Sequence, residues 1–138
     1  MTKRILITGT SSGFGNEAAI ALAQHGHTVF ATMREADSKN APAVHQLRDM
    51  AKRDNLALHI MELDVTSNPS VQQAAAYAVE QAGGIDVLIN NASMGVMGIQ
   101  ETVTPEQVQR LFDVNVFGII RVNRAALPYM RQQGKELV

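Results

Sequence analysis

The chain has 138 residues, with 12 lysines and arginines against 13 aspartates and glutamates, and no cysteine. That length suits one domain with a single core, and the near-zero charge gives no electrostatic support to a nucleic-acid or anionic-membrane surface. Disulfides, thiolate catalysis and Cys-ligated zinc are excluded; no apolar run approaches the roughly 20 residues of a bilayer span; and no signal-peptide pattern opens the chain, so a cytosolic setting is expected.

Lys3 to Thr8, with the apolar run Ile5-Leu6-Ile7, predicts a first strand. Thr8-Gly9-Thr10-Ser11-Ser12-Gly13-Phe14-Gly15 follows, and Phe14 to Gln24 predicts a helix whose Ala18, Ala19, Leu22 and Ala23 form a narrow stripe for packing on a sheet. A strand, a glycine-rich turn and a helix start form a backbone built to hold a phosphate. Helix N-termini present unpaired N–H groups and a positive dipole end, which bind anions without a charged side chain. Glycines there let the backbone approach the phosphate and the helix pack closely on the strand. The spacing is G-x-x-x-G-x-G rather than the common G-x-G-x-x-G, and an ordinary tight turn is the alternative reading.

His27 to Thr32 predicts a second strand, ending in Ala31-Thr32-Met33-Arg34. An acidic residue at this position binds the ribose hydroxyls of NAD(H), whereas a basic one accepts the 2′-phosphate of NADP(H). Arg34 offers forked donors to a phosphate, so NADP(H) is expected over NAD(H). Glu35 and Asp37 could redirect the loop, and a solvated surface arginine is the other reading of Arg34.

Ala43 to Asp54 predicts a helix carrying Val44, Leu47 and Met50, and Leu56 to Leu63 a third strand. Asp64 at its end can accept from an adenine amino group under the cover of Val65, or simply make a turn. Ser70 to Gln81 predicts a helix stopped by Gly83-Gly84, and Ile85 to Asn90 a fourth strand, apolar enough to be buried on both faces. Asn90-Asn91-Ala92-Ser93 ends it. Its amides either order the sheet edge beside a ligand or make a plain turn.

Asn91 to Val103 reads as a loop, with Met94 and Met97 as a soft apolar wall. Thr104-Pro105-Glu106-Gln107 carries the marks of a capped helix start. The helix is expected to run past Arg124, with Pro128 as a kink or break and Gly134 as its end. Val108, Leu111, Phe112, Val116, Ile119 and Val122 form an apolar stripe, and Asn115 falls inside it. A buried amide must be paired; Asn115 either satisfies backbone groups or orders a water or a catalytic group. Glu136-Leu137-Val138 reads as the start of a fifth strand. The four histidines lack metal-ligand spacing. The alternation of strands and helices predicts an α/β fold, a doubly wound parallel sheet with helices on both faces. The glycine turn, Arg34, Asp64 and Asn90-Asn91 then gather at the carboxyl ends of the strands, where ligands bind in such sheets.

Together, the glycine turn, Asp64-Val65, Asn90-Asn91-Ala92 and Asp113-Val114-Asn115-Val116-Phe117-Gly118 resemble the short-chain dehydrogenase/reductase family over nearly the whole chain. The resemblance implies a Rossmann-like sheet that binds NAD(H) or NADP(H) and moves hydride to or from a small-molecule carbonyl or alcohol. It implies cofactor contacts at Gly9, Ser11, Ser12, Gly13, Phe14, Gly15, Arg34, Asp64, Val65 and Asn91. It also implies a place for Asn115 in the proton relay, holding a water next to the catalytic lysine. Family members are dimers or tetramers, which implies a homo-oligomer. Two departures stand out. Ser93 replaces the usual glycine, which implies strain if the position needs a positive φ. The family's Tyr-x-x-x-Lys pair is absent, since Tyr77 is followed at the fourth position by Gln81 and Tyr129 by Gln133, and no serine follows Ser93. The expectation is therefore one domain over 1–138, the cofactor-binding part of an oxidoreductase cut before its catalytic segment and inactive alone. A non-catalytic NADP(H)-binding module and an interrupted reading frame are the alternatives.

Overall fold

A computed structural model describes residues 1–134, and the strand expected at Glu136-Leu137-Val138 lies outside the described residues. Strands β1 (Arg4–Ile7), β2 (Thr28–Met33), β3 (Leu58–Glu62) and β4 (Val87–Ile89) form one parallel sheet in the order β3-β2-β1-β4. Helices α1 (Gly13–Gln24), α2 (Ala41–Arg53) and α3 (Asn68–Ala82) link successive strands, while α4 (Pro105–Phe112) and α5 (Gly118–Gln132) follow β4. The chain runs outward from β1 to β3 and then returns to place β4 on the other side of β1. The sheet's switch point therefore lies between the carboxyl ends of β1 and β4.

Strand alternation sorts the core onto two faces. Leu6, Phe30 and Leu88 point to one side, where they pack with Val71, Ala74 and Ala78 of α3 and Val122, Ala126 and Met130 of α5. Ile5, Ile7, Val29 and Ala31 point to the other and pack with Ala19 and Ala23 of α1 and Val44 and Leu47 of α2. The ends of these strands and of α1 to α3 fall within about two residues of the sequence-based expectation, the usual fraying of helix and strand ends.

The last helical region departs further. Thr104 caps α4 as expected: its Oγ1 accepts from the Gln107 N–H at 3.3 Å, and Gln107 Oε1 accepts from the Thr104 N–H at 2.8 Å. A π-helical turn, Asp113–Phe117, joins α4 to α5. Pro128 neither breaks nor ends α5, which runs on to Gln132. Pro128 and Arg124 are both exposed, so the carbonyl that loses its donor lies on the solvent side.

The stripe read as this helix's core face is mostly not its core among the described residues. Val108, Phe112, Val116 and Ile119 are exposed, whereas Val114, Gly118, Val122, Ala126 and Met130 are buried at steps of four. Periodicity marked an apolar face, but the sheet chose the neighbouring one, where the small Gly118 and Ala126 allow close approach.

Candidate functional site

The glycine turn after β1 is braced from three sides. Thr10 is fully buried, with its N–H and hydroxyl both donating to the Thr32 carbonyl of β2, at 2.9 and 3.1 Å. Asn16 Nδ2 donates to the Thr10 carbonyl at 3.0 Å. Asn91, at the end of β4, donates through Nδ2 to the carbonyls of Thr8 (3.0 Å) and Gly9 (2.9 Å). Thr8 Oγ1 in turn accepts from the N–H groups of Asn91 and Ala92, each at 3.0 Å. The turn is thereby tied to the β4 loop across the switch point.

These contacts leave no room for side chains at two of the glycines. A Cβ on Gly9, whose φ is +72°, would lie 2.6 Å from Ala92 Cα. One on Gly15 would collide with Asn91 Nδ2 and the Gly9 carbonyl. Gly13 differs, because its φ is +60° but a Cβ there would meet open space. Ser12, the N-cap residue of α1, makes no side-chain bond to the helix, so the amides of the first turn receive no cap from it.

A cavity of about 470 Å³ is lined by Gly9, Ser11, Ser12, Gly13 and Phe14 and reaches loops after all four strands. Met33 and Arg34 come from β2 and its end, Leu63, Asp64 and Val65 from the end of β3, and Asn91, Ala92, Ser93 and Met94 from the end of β4. The rim gathers as the alternation of elements predicts, except that Asn90 is outside the lining and donates through Nδ2 to Asn123 Oδ1 of α5 at 2.9 Å. Gly15 lies buried behind it, and Asn115 stands outside the lining.

At the β3 end, Asp64 Oδ1 accepts from the Thr66 N–H and hydroxyl, at 2.9 and 2.7 Å, so a turn role is present. Val65 is buried in the core, and Gly118 of α5 packs against it: a Cβ there would lie 2.9 Å from Val65 Cγ2. Arg121 bridges the same region, donating through one NH group to the carbonyls of Val65 and Asp113 (3.2 Å each) and through the other to Asp113 Oδ1 (2.6 Å). The π-helical turn is thus bonded to the β3 loop.

Asn115 pairs both ends of its amide with one residue. Its Oδ1 accepts from the Met94 N–H at 2.9 Å, and its Nδ2 donates to the Met94 carbonyl at 2.8 Å. Of the two expected methionines, Met94 lines the cavity while Met97 is 98% exposed and is no wall. A loop carries no periodic signal to distinguish them. Ser93 is not among the residues with positive φ, so the strain expected from serine in place of glycine is absent.

The family model described as short chain dehydrogenase matches residues 3–137. The chain belongs to the short-chain dehydrogenase family. Among its relatives, 3-ketodihydrosphingosine reductase of Bacteroides thetaiotaomicron is 41% identical over 93% of this chain and 42% of that protein. A short-chain dehydrogenase from Streptomyces avermitilis superposes with a TM-score of 0.84 at 35% identity, covering 99% of this chain and 48% of the other. An alcohol dehydrogenase from Thermococcus sibiricus, complexed with 5-hydroxy-NADP, gives 0.85 at 25% identity, covering 99% and 57%. The chain thus spans about half the length of the relatives it matches. Short-chain dehydrogenases bind nicotinamide cofactors and act on small-molecule substrates. No helix among the described residues is long and apolar enough to cross a membrane.

Sequence reasoning missed Lys39 and Asn40, which also line the cavity. The missed signal is a turn. Glu35 has φ +52°, its carbonyl accepts from the N–H groups of Ser38 (3.2 Å) and Asn40 (3.0 Å), and Asn40 Nδ2 donates to the Arg34 carbonyl at 2.6 Å.

Proposed function

We propose that residues 1–138 form one domain, the NADP(H)-binding portion of a cytosolic oxidoreductase acting on a small-molecule carbonyl or alcohol. The observation that carries this reading is the single cavity in which the glycine turn, Arg34, Asp64, Val65 and Asn91 all take part. Its geometry suits a dinucleotide. The helix start receives no side-chain cap from Ser12, the space beyond Gly13 is open, and the β2 end offers a guanidinium.

The first-turn amides of α1, with Ser11 and Ser12, hold the pyrophosphate. Arg34 holds the 2′-phosphate. Asp64 and Val65 face the adenine, and Asn91 keeps the turn in place from behind. When bound, the nicotinamide supplies or accepts a hydride at the substrate carbon. Asn115 acts by fixing Met94, and Met94 and Val96 give the substrate side an apolar wall. Proton transfer to a carbonyl oxygen needs an acid beside the substrate. Without a Tyr-x-x-x-Lys pair, this 138-residue chain binds cofactor and does not turn over.

Two measurements test the reading. NADPH should bind more tightly than NADH, and Arg34→Ala should remove most of that difference; an unchanged preference removes Arg34 from the site. Carbonyl reduction by the purified chain alone would refute the absence of its acid. A second reading, a nucleotide-binding module without chemistry, draws on the same missing pair. It is favoured if the chain is stable and monodisperse with NADPH bound.

A further inference from the structure

Three consecutive residues of the π-helical turn Asp113–Phe117 have three separate duties. Asp113 is held by Arg121 of α5, whose NH2 donates to Asp113 Oδ1 at 2.6 Å and whose NH1 donates to the Asp113 carbonyl at 3.2 Å. Val114 is buried and lines the cavity, as Val65 does. Asn115 clasps both backbone groups of Met94, which lines the same cavity from the β4 side. The same NH1 of Arg121 also donates to the Val65 carbonyl at 3.2 Å. Among the described residues no other side chain hydrogen-bonds to both the β3 loop and the π-helical turn.

We propose that Arg121 is a positioning residue that couples the adenine end of the cavity to the Met94 loop. The inference rests on the cofactor reading above and deepens it. A guanidinium is planar and rigid, so its three acceptors are fixed relative to one another. A base seated against Val65 and Val114 favours one placement of the β3 loop, and Arg121 imposes the matching placement on Asp113. Asn115, two residues on, then holds Met94 more firmly. A ligand stabilises every contact that needs the arrangement it binds best, so an adenine nucleotide steadies a segment on the substrate side. Arg121 touches neither cofactor nor substrate and acts through the backbone of Val65 and Asp113.

The test uses the full chain and 5′-AMP, which supplies the adenine end without the nicotinamide. Calorimetry gives the concentration that saturates each variant, and hydrogen exchange is then read at the Met94 and Thr66 amides with and without nucleotide. In the wild type, saturating 5′-AMP should slow exchange at Met94 at least fivefold, the lower end of ordinary site-to-site coupling. Arg121→Gln should bring that ratio below about twofold while Thr66 stays protected, and Arg121→Lys should recover part of it. A merely structural role would raise exchange with and without nucleotide alike and leave the ratio unchanged. Asp113→Asn weakens the same tie from the other side and decides the matter if Arg121→Gln does not fold. If 5′-AMP protects Thr66 but not Met94 in the wild type, or protects Met94 equally in the variants, the coupling through Arg121 is overturned and the cofactor reading stands. If 5′-AMP does not bind, or leaves Thr66 unchanged, the cofactor reading fails and the inference with it.

Discussion

Two glycines of one turn separate backbone need from ligand space. Gly9 requires both its positive φ and the absence of a Cβ, because Ala92 stands 2.6 Å from where that atom would be. Gly9→Ala should therefore cost about 2–4 kcal/mol, combining left-handed strain with overpacking, and a urea titration of the unfolding midpoint measures it. Gly13→Ala has only the φ +60° penalty, about 1–2 kcal/mol, since its Cβ would meet open space. It should reduce NADPH affinity at least tenfold while the protein stays folded, and binding with unaltered affinity would remove the first turn of α1 from the phosphate site. The glycine spacing was legible in the sequence. The different duties of the two glycines were not, because Ala92 reaches Gly9 from the loop after β4, more than 80 residues away.

Among elements, one long-range contact holds the site to its scaffold and another ties the far end of the sheet together. Asn115 sits on the π-helical turn between α4 and α5 and saturates both backbone groups of Met94. Asn115→Ala leaves those groups without their partner, at about 1–3 kcal/mol, and hydrogen exchange at the Met94 amide should speed up selectively. Unchanged protection there would show that the loop holds itself. The second contact lies at the opposite end of the sheet. Arg4 on β1 donates from Nε and NH2 to the two carboxylate oxygens of Asp86, at 2.8 and 2.6 Å, and from NH2 to Gln133 Oε1 at 2.7 Å. The Arg4 hydrogen bonds hold the Asp86 carboxyl down at about 2, against burial, which acts to raise it. Its folded pKa lies below that of a free aspartate, near 3.9. The stability it contributes is therefore complete above about pH 4 and disappears as pH falls through about 2. Allowing for solvent screening this amounts to roughly 1–2 kcal/mol. Asp86→Asn should lower stability at neutral pH by at least that much and flatten the acid limb of the stability curve between about pH 4 and 2.

On the scale of the molecule, most of the apolar stripe that periodicity marked on the last helices stays exposed, and Phe117 and Ile120 beside it are exposed as well. Phe112, Val116, Phe117, Ile119 and Ile120 are between 37% and 52% exposed along one helical run, and β4 is an edge strand among the described residues. Asn90 Oδ1 is also buried there without a hydrogen-bond partner. An exposed apolar face and an open strand edge each favour association. The 138-residue chain should self-associate with rising concentration in sedimentation velocity, and Ile120→Lys should shift it towards monomer. A wild-type chain that stays monomeric at 100-fold dilution and at full concentration alike would contradict this.

By itself the sequence determined the order of strands and helices, the glycine turn, the capping box at Thr104 and the family. Each of these is written in local spacing: alternation, helical period, or a residue type that only one backbone conformation suits. The tertiary structure alone decided which face of the last helices is core, that Asn115 serves Met94, and that Lys39 lines the cavity with Arg34 while Glu35 and Asp37 do not. These depend on contacts between segments far apart in the chain, or on one residue with positive φ that reverses a loop. Neither leaves a periodic trace.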